Sequence, residues 1–89
     1  MYVPPFELLT TASNNSAFGF GALQNNTTGA SNTSIGYNAL LGLTTAGDNV
    51  ALGRSAMQTN DTGAKNVCIG NYAGYAGNTV HFNENVAIG

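Results

Sequence analysis

A five-residue phrase recurs along this chain. It reads Asn15-Ser16-Ala17-Phe18-Gly19, Asn32-Thr33-Ser34-Ile35-Gly36, Asn49-Val50-Ala51-Leu52-Gly53, Asn66-Val67-Cys68-Ile69-Gly70 and Asn85-Val86-Ala87-Ile88-Gly89. Three successive intervals are 17 residues and the last is 19. The first position is always Asn and the last always Gly. The third is small and the fourth is large and apolar. A fixed period of this size means stacked copies of one structural unit.

The phrase alternates with period two, which is strand-like. After each Gly an Ala recurs at the third position, as Ala22, Ala39, Ala56 and Ala73. Thr28, Thr45, Thr62 and Thr79 recur thirteen residues after the leading Asn. Asn, Thr and Gly clusters between these segments supply turn chemistry, Gly by accepting positive φ and Asn by local side-chain hydrogen bonds. Each unit is therefore expected to hold two short strands separated by turns. A 17-residue unit is too short for a helical crossover. The expected fold is all-β: a parallel β-roll or β-solenoid of about 17-residue coils, stacked about 4.8 Å apart. Coils start at Asn15, Asn32, Asn49, Asn66 and Asn85. Residues 1–14 fall outside the repeat. Pro4-Pro5 imposes an extended segment there, and Phe6, Leu8 and Leu9 follow, as expected of an N-terminal cap or junction. The repeat segment runs over 15–89.

Stacking gives the constant residues roles. Asn15, Asn32, Asn49, Asn66 and Asn85 would lie above one another and could form an amide ladder, or serve only as tolerant turn residues. Gly19, Gly36, Gly53, Gly70 and Gly89 are expected at tight turns or close backbone approaches.

The apolar content is low. Leu, Ile, Val and Phe supply 19 of 89 residues, whereas Asn, Gly and Thr supply 35. A net charge of −2 is too small to drive disorder. A small apolar payload makes a lone chain of this length marginal and favours oligomerisation or staples. With one cysteine, disulfide staples within the chain are excluded. Arg54 and Lys65 are the only strong cations, too few for nucleic-acid binding. No apolar run is long enough to span a membrane, and Met1-Tyr2-Val3-Pro4-Pro5 lacks the basic start and apolar core of a secretory signal.

Positions two and four of the phrase share one strand face and position three occupies the other. If the bulky face points into the coil, the chain can stand alone. If Ala51, Cys68 and Ala87 point inward against the Ala22/Ala39/Ala56/Ala73 column, the coil is flat. The bulky stripe then lies outside and needs a partner. The second small column favours the flat coil. Ile35, Val50, Leu52, Val67, Ile69, Val86 and Ile88 would then form the seam of a homotrimer.

These phrases resemble the head repeats of YadA-type trimeric autotransporter adhesins, most closely at Asn49–Gly53, Asn66–Gly70 and Asn85–Gly89. That resemblance implies a left-handed parallel β-roll that trimerises. The longer unit with Thr-Thr-Gly between phrases is similar to repeats of phage tail-fibre and tailspike proteins, often placed before a C-terminal intramolecular chaperone. The likeness covers about Asn15 to Gly89. The 17-residue period is longer than the usual adhesin unit, and no heptad stalk or membrane-anchor barrel is present. These departures favour a structural segment of a viral or phage attachment fibre over a bacterial surface adhesin. The implied location is the virion, or otherwise the cell surface. The implied partners are the chain itself, other fibre segments or a host-surface receptor.

No catalytic constellation, metal cluster or cofactor motif is present, and a non-enzyme is expected. His81 falls in the two-residue expansion of the last coil and reads as a turn residue. Glu7, Asp48, Asp61 and Glu84 are dispersed. Cys68 fills the small slot and reads as a packing residue. Asn14, Asn25, Asn26, Asn32 and Asn60 each begin an Asn-x-Ser/Thr sequon, a match that follows from composition. Gly19-Phe20-Gly21 lacks the third Gly and the helix of a phosphate loop. The Thr column raises an ice-binding solenoid as a remote alternative, against which stand its turn placement and the broken last spacing.

Overall fold

The computed structural model describes residues 13–75 and 86–89. The expected cap over 1–14 lies almost wholly outside them, as do Asn85, His81, Glu7, Glu84 and Thr79. Five three-residue strands form one parallel sheet in chain order. They are β1 (Ser16–Phe18), β2 (Thr33–Ile35), β3 (Val50–Leu52), β4 (Val67–Ile69) and β5 (Val86–Ile88). Like pairs with like: Ala17 with Ser34, Ser34 with Ala51, Ala51 with Cys68, and Cys68 with Ala87. The 19-residue last spacing does not disturb this register. The fold is an all-β solenoid of about four 17-residue turns.

Among the described residues each coil contributes one strand to this sheet, not two. The segment after the Gly is a train of overlapping turns. The N–H of Ala22 donates to the Gly19 carbonyl, Gln24 to Gly21 and Asn26 to Leu23. Coil three repeats this from Ala56 to Gly53, Gln58 to Ser55 and Asn60 to Met57. The third residue of the first two turns has positive φ: Gly21 and Leu23 in coil one, Ser55 and Met57 in coil three. That is the signature of type II turns. Such a train bends the chain back while leaving alternate peptide groups free along the solenoid axis. The Leu23 N–H reaches the Ala39 carbonyl, Leu40 reaches Ala56, and Met57 reaches Ala73, at 2.8–3.1 Å. The turns therefore stack much as strands do, and the left-handed cost at Leu23, Leu40 and Met57 is offset by these bonds and by burial.

The inward face of the strand column is the small one. Ala17, Ser34, Ala51 and Cys68 are buried, and Leu23, Leu40 and Met57 from the turn column fill the space opposite, with Leu43. Ser34 satisfies its buried hydroxyl by donating to the Ala39 carbonyl at 2.7 Å. The fourth coil trades sizes across the same space. Cys68 is larger than Ala, and Gly74 replaces the Leu or Met opposite; a Cβ at Gly74 would stand 2.6 Å from the Cys68 sulfur. The larger strand residue thus sits where the turn residue opposite is smallest, as close packing requires.

Candidate functional site

The leading asparagines form a ladder from Asn15 to Asn66. The backbone N–H of Asn32 donates to Asn15 Oδ1 at 2.8 Å, Asn49 N–H to Asn32 Oδ1 at 3.0 Å, and Asn66 N–H to Asn49 Oδ1 at 3.0 Å. The amide nitrogens close the coil internally. Nδ2 of Asn15 reaches the Gly29 carbonyl, that of Asn32 reaches Ala46, and that of Asn49 reaches Gly63. Asn49 Nδ2 also donates to Asn32 Oδ1 at 3.2 Å. Asn32, Asn49 and Asn66 are fully buried. Each amide thus ties its own coil shut and its neighbour on, so these residues hold the scaffold and present nothing to a ligand.

The glycines carry two constraints at once. Gly36 has φ 134° and Gly53 has φ 128°. A Cβ at Gly53 would also stand 2.6 Å from the carbonyl oxygen of Gly70 in the next coil. Only hydrogen fits, on conformational and on steric grounds.

A second asparagine pair belongs to the scaffold. Asn26 Nδ2 donates to the Gly29 carbonyl at 2.9 Å, and the Gly29 N–H returns to Asn26 Oδ1 at 3.1 Å. Asn60 and Gly63 repeat this clasp with the same distances. Coil two has Leu43 and Ala46 in those places. A Cβ at Gly29 would meet the Ala46 carbonyl oxygen of the next coil and would stand 2.6 Å from Asn26 Oδ1, so both the neighbouring backbone and the Asn clasp favour Gly there. The signal was readable as Asn-x-Thr-Gly at Asn26–Gly29 and Asn60–Gly63. Of the sequon asparagines, Asn26, Asn32 and Asn60 are fully buried, which bars their modification in the folded chain.

The outer face of the strands is the opposite of the inner. Phe18 is 50% exposed, Ile35 46% and Ile69 37%; Val50, Leu52 and Val67 are half-buried and Val86 and Ile88 exposed. Every residue of the expected seam lies on this face. A second column follows just past the Gly. Phe20 stacks on Tyr37 at 5.8 Å between centroids, with 14° between planes. Arg54 continues the column, its Cζ 6.0 Å from the Tyr37 centroid and 5.6 Å from that of Tyr72. Tyr72 meets Tyr75 edge-on at 5.6 Å. The apolar stripe is thus widened by an aromatic margin.

No group of three potential metal ligands and no helix long and apolar enough to cross a membrane occurs among the described residues. Asp48 and Asp61 lie in different coils. Cys68 is buried, and burial pushes its thiol up in pKa, against a smaller opposing contribution from the Ala87 backbone. Thr28, Thr45 and Thr62 are exposed, in bends rather than on a strand. No family model, curated protein or solved structure matches the chain.

Proposed function

We propose that this chain is a non-catalytic structural segment of a homotrimeric attachment fibre of a virus or phage. One observation carries the reading: the solenoid fills its own interior with small strand residues and turn-column Leu and Met, and displays its bulky strand residues outward in an unbroken stripe. A row of exposed apolar side chains of this extent marks an interface. Three copies turning that face to a common axis bury it and leave the Thr and Asn corners in water. Closed cyclic symmetry leaves both ends of the stack available to further segments of a fibre. The repeated Asn-x-small-bulky-Gly phrase, resembling YadA-like head repeats and the repeats of tail-fibre proteins, supports the same reading.

A head segment of a bacterial trimeric adhesin uses the same trimer and is the alternative. Location separates the two. Antibodies raised against the folded trimer should label purified virions at their attachment fibres; labelling of the bacterial outer surface in particle-free culture would transfer the assignment to the adhesin. In the fibre, the segment acts as a stiff spacer that carries a receptor-binding part or contributes to it.

A further inference from the structure

Of the strands β1 to β4, only β3 is flanked by side chains of opposite charge. Asp48 precedes β3 and Arg54 follows it, both exposed and at opposite ends of the same strand. The equivalent flanking pairs are Asn14 and Phe20 around β1, Ser31 and Tyr37 around β2, and Lys65 and Asn71 around β4. No ion pair joins Asp48 or Arg54 to another described residue of the chain. Strands of a solenoid run across its axis. In a ring of three, contacts are head-to-tail, so the start of a strand in one protomer meets the end of the strand in the next.

From this placement we propose that neighbouring protomers are locked in axial register by an ion pair between Asp48 of one copy and Arg54 of the next, repeated around the ring. This rests on the homotrimer proposed above; the occupant of the face is a second copy of this chain. Charge complementarity selects level coils over shifted ones. With coils level, Asp48 meets Arg54 and Lys65 meets the neutral Asn71. A shift of one coil in one direction sets Arg54 against Lys65 instead. A shift in the other sets Arg54 against Ser31 and Asp48 against Asn71. A flat stripe of Val, Ile and Leu repeating every coil has no register of its own, since a sliding step replaces each apolar contact by a similar one. Charged residues at the rim of an apolar seam are the usual means of choosing register and suppressing wrong pairings.

The geometry of Arg54 suits this role. Its guanidinium lies between the Tyr37 and Tyr72 rings, which limits the rotamers that pairing would have to freeze. Its backbone N–H donates to Asn71 Oδ1 at 3.0 Å. Asp48 is held by its own N–H, which donates to the Ala30 carbonyl at 3.0 Å. Lys65 takes the same left-handed backbone as Asp48, φ 61° against 63°, so a long cation is tolerated at that position. Asn71 occupies the Arg54 position one coil on, so a short polar group is tolerated there.

The test is disulfide trapping in the full chain with Cys68→Ala, a replacement already present at Ala51. The cysteines are placed two coils from the charges, so that Asp48 and Arg54 stay: Asn14→Cys and Phe20→Cys lie across β1 from each other, too far apart to bond within one chain, where Cα atoms must come within about 7 Å. Trimer by light scattering is established first under reducing conditions. Oxidation should then convert most of the protein to covalent dimers and closed trimers on a non-reducing gel. Ser31→Cys with Phe20→Cys, level only in the register shifted by one coil, should stay monomeric on the same gel. A trimer that yields no covalent species from the first pair, or yields them from the second instead, overturns the register lock and leaves the trimer standing. A parent chain that scatters as a monomer overturns both. Where cysteine variants do not assemble, charge exchange decides. Asp48→Lys and Arg54→Asp should each weaken the trimer by on the order of tenfold or more, and the double exchange should recover most of that loss. A double variant no tighter than either single one overturns the proposal.

Discussion

The two faces of one strand column behave as though they came from different proteins. Inward, Ala17, Ser34, Ala51 and Cys68 are small and wholly enclosed. Outward, Phe18, Ile35, Leu52 and Ile69 are large and partly in water. A half-buried strand ordinarily places its bulky residues in the core of its own chain. Here the interior space is taken by the turn column, whose Leu and Met reach across to the strands. The inner face can only be small, and the outer face is free to serve an assembly. Burial in this molecule therefore has two stages, one within the coil and one between copies.

The sharpest break of that contrast is a phenylalanine placed on each face in turn. Ala51→Phe enters a filled interior, and overpacking on this scale typically costs about 1–3 kcal/mol and sometimes more. With so small a core, the expected outcome is loss of the cooperative thermal transition. Leu52→Phe places the same ring one residue later, in the column that already holds Phe18, and should keep fold and assembly. Equal damage from the two would abolish the distinction between the faces.

Asn49→Leu comes next. It removes the acceptor for the Asn66 N–H, at about 1–3 kcal/mol for a buried group left without it, and one of two donors to the Gly63 carbonyl, which keeps Asn60 Nδ2. Chemical denaturation should show the loss. An Asn49→Leu chain as stable as the parent would show that the ladder is dispensable.

A smaller effect separates coil one from coil two. Gly29→Ala should destabilise through contact with the Ala46 backbone carbonyl and with Asn26 Oδ1, and adding Asn26→Leu, the arrangement coil two already uses with Leu43 and Ala46, should return only the part that comes from Asn26. A coupling of about 1 kcal/mol is expected from the double-mutant cycle. Strict additivity would mean that the two residues are not a matched pair.

The smallest effect concerns Cys68. Burial raises its thiol pKa, so folding favours the neutral form. The stability this contributes is complete below the unfolded thiol's pKa, about 8.5, and is lost as pH climbs above that value towards the folded one. Denaturation midpoints should fall over this range in the parent more than in Cys68→Ala, and a thiol reagent should label the folded chain slowly. Equal pH slopes would place the sulfur in water.

Much of this architecture was legible in the residues. The 17-residue spacing anticipates the pairing of Ala17 with Ser34 and Ser34 with Ala51, because a repeat that stacks must set like upon like. The constant Asn and Gly mark positions where one amide or one hydrogen is required in every coil. The second segment was harder. Ala-Leu at Ala22-Leu23 and Ala39-Leu40 reads as strand by composition, yet Leu23 and Leu40 are left-handed turn residues. Local preference is against that conformation, and only the inter-coil bonds to Ala39 and Ala56 make it favourable. Those bonds lie between residues 16 apart, beyond the reach of a local reading. The Asn26–Gly29 clasp was hidden for a related reason: coil two lacks it, which masks the pattern in a column-by-column reading.

The central claim is that the outward stripe is buried between copies. It is tested by the molar mass of the parent chain in solution, measured by multi-angle light scattering at micromolar concentration, with Ile69→Asp run beside it. The account predicts three times 9.1 kDa for the parent. For Ile69→Asp it predicts a single-chain mass, since three carboxylates brought together near the axis would cost several kcal/mol or more per ion. A parent that is a folded 9.1 kDa monomer would contradict it, leaving the bulky stripe without a role in assembly.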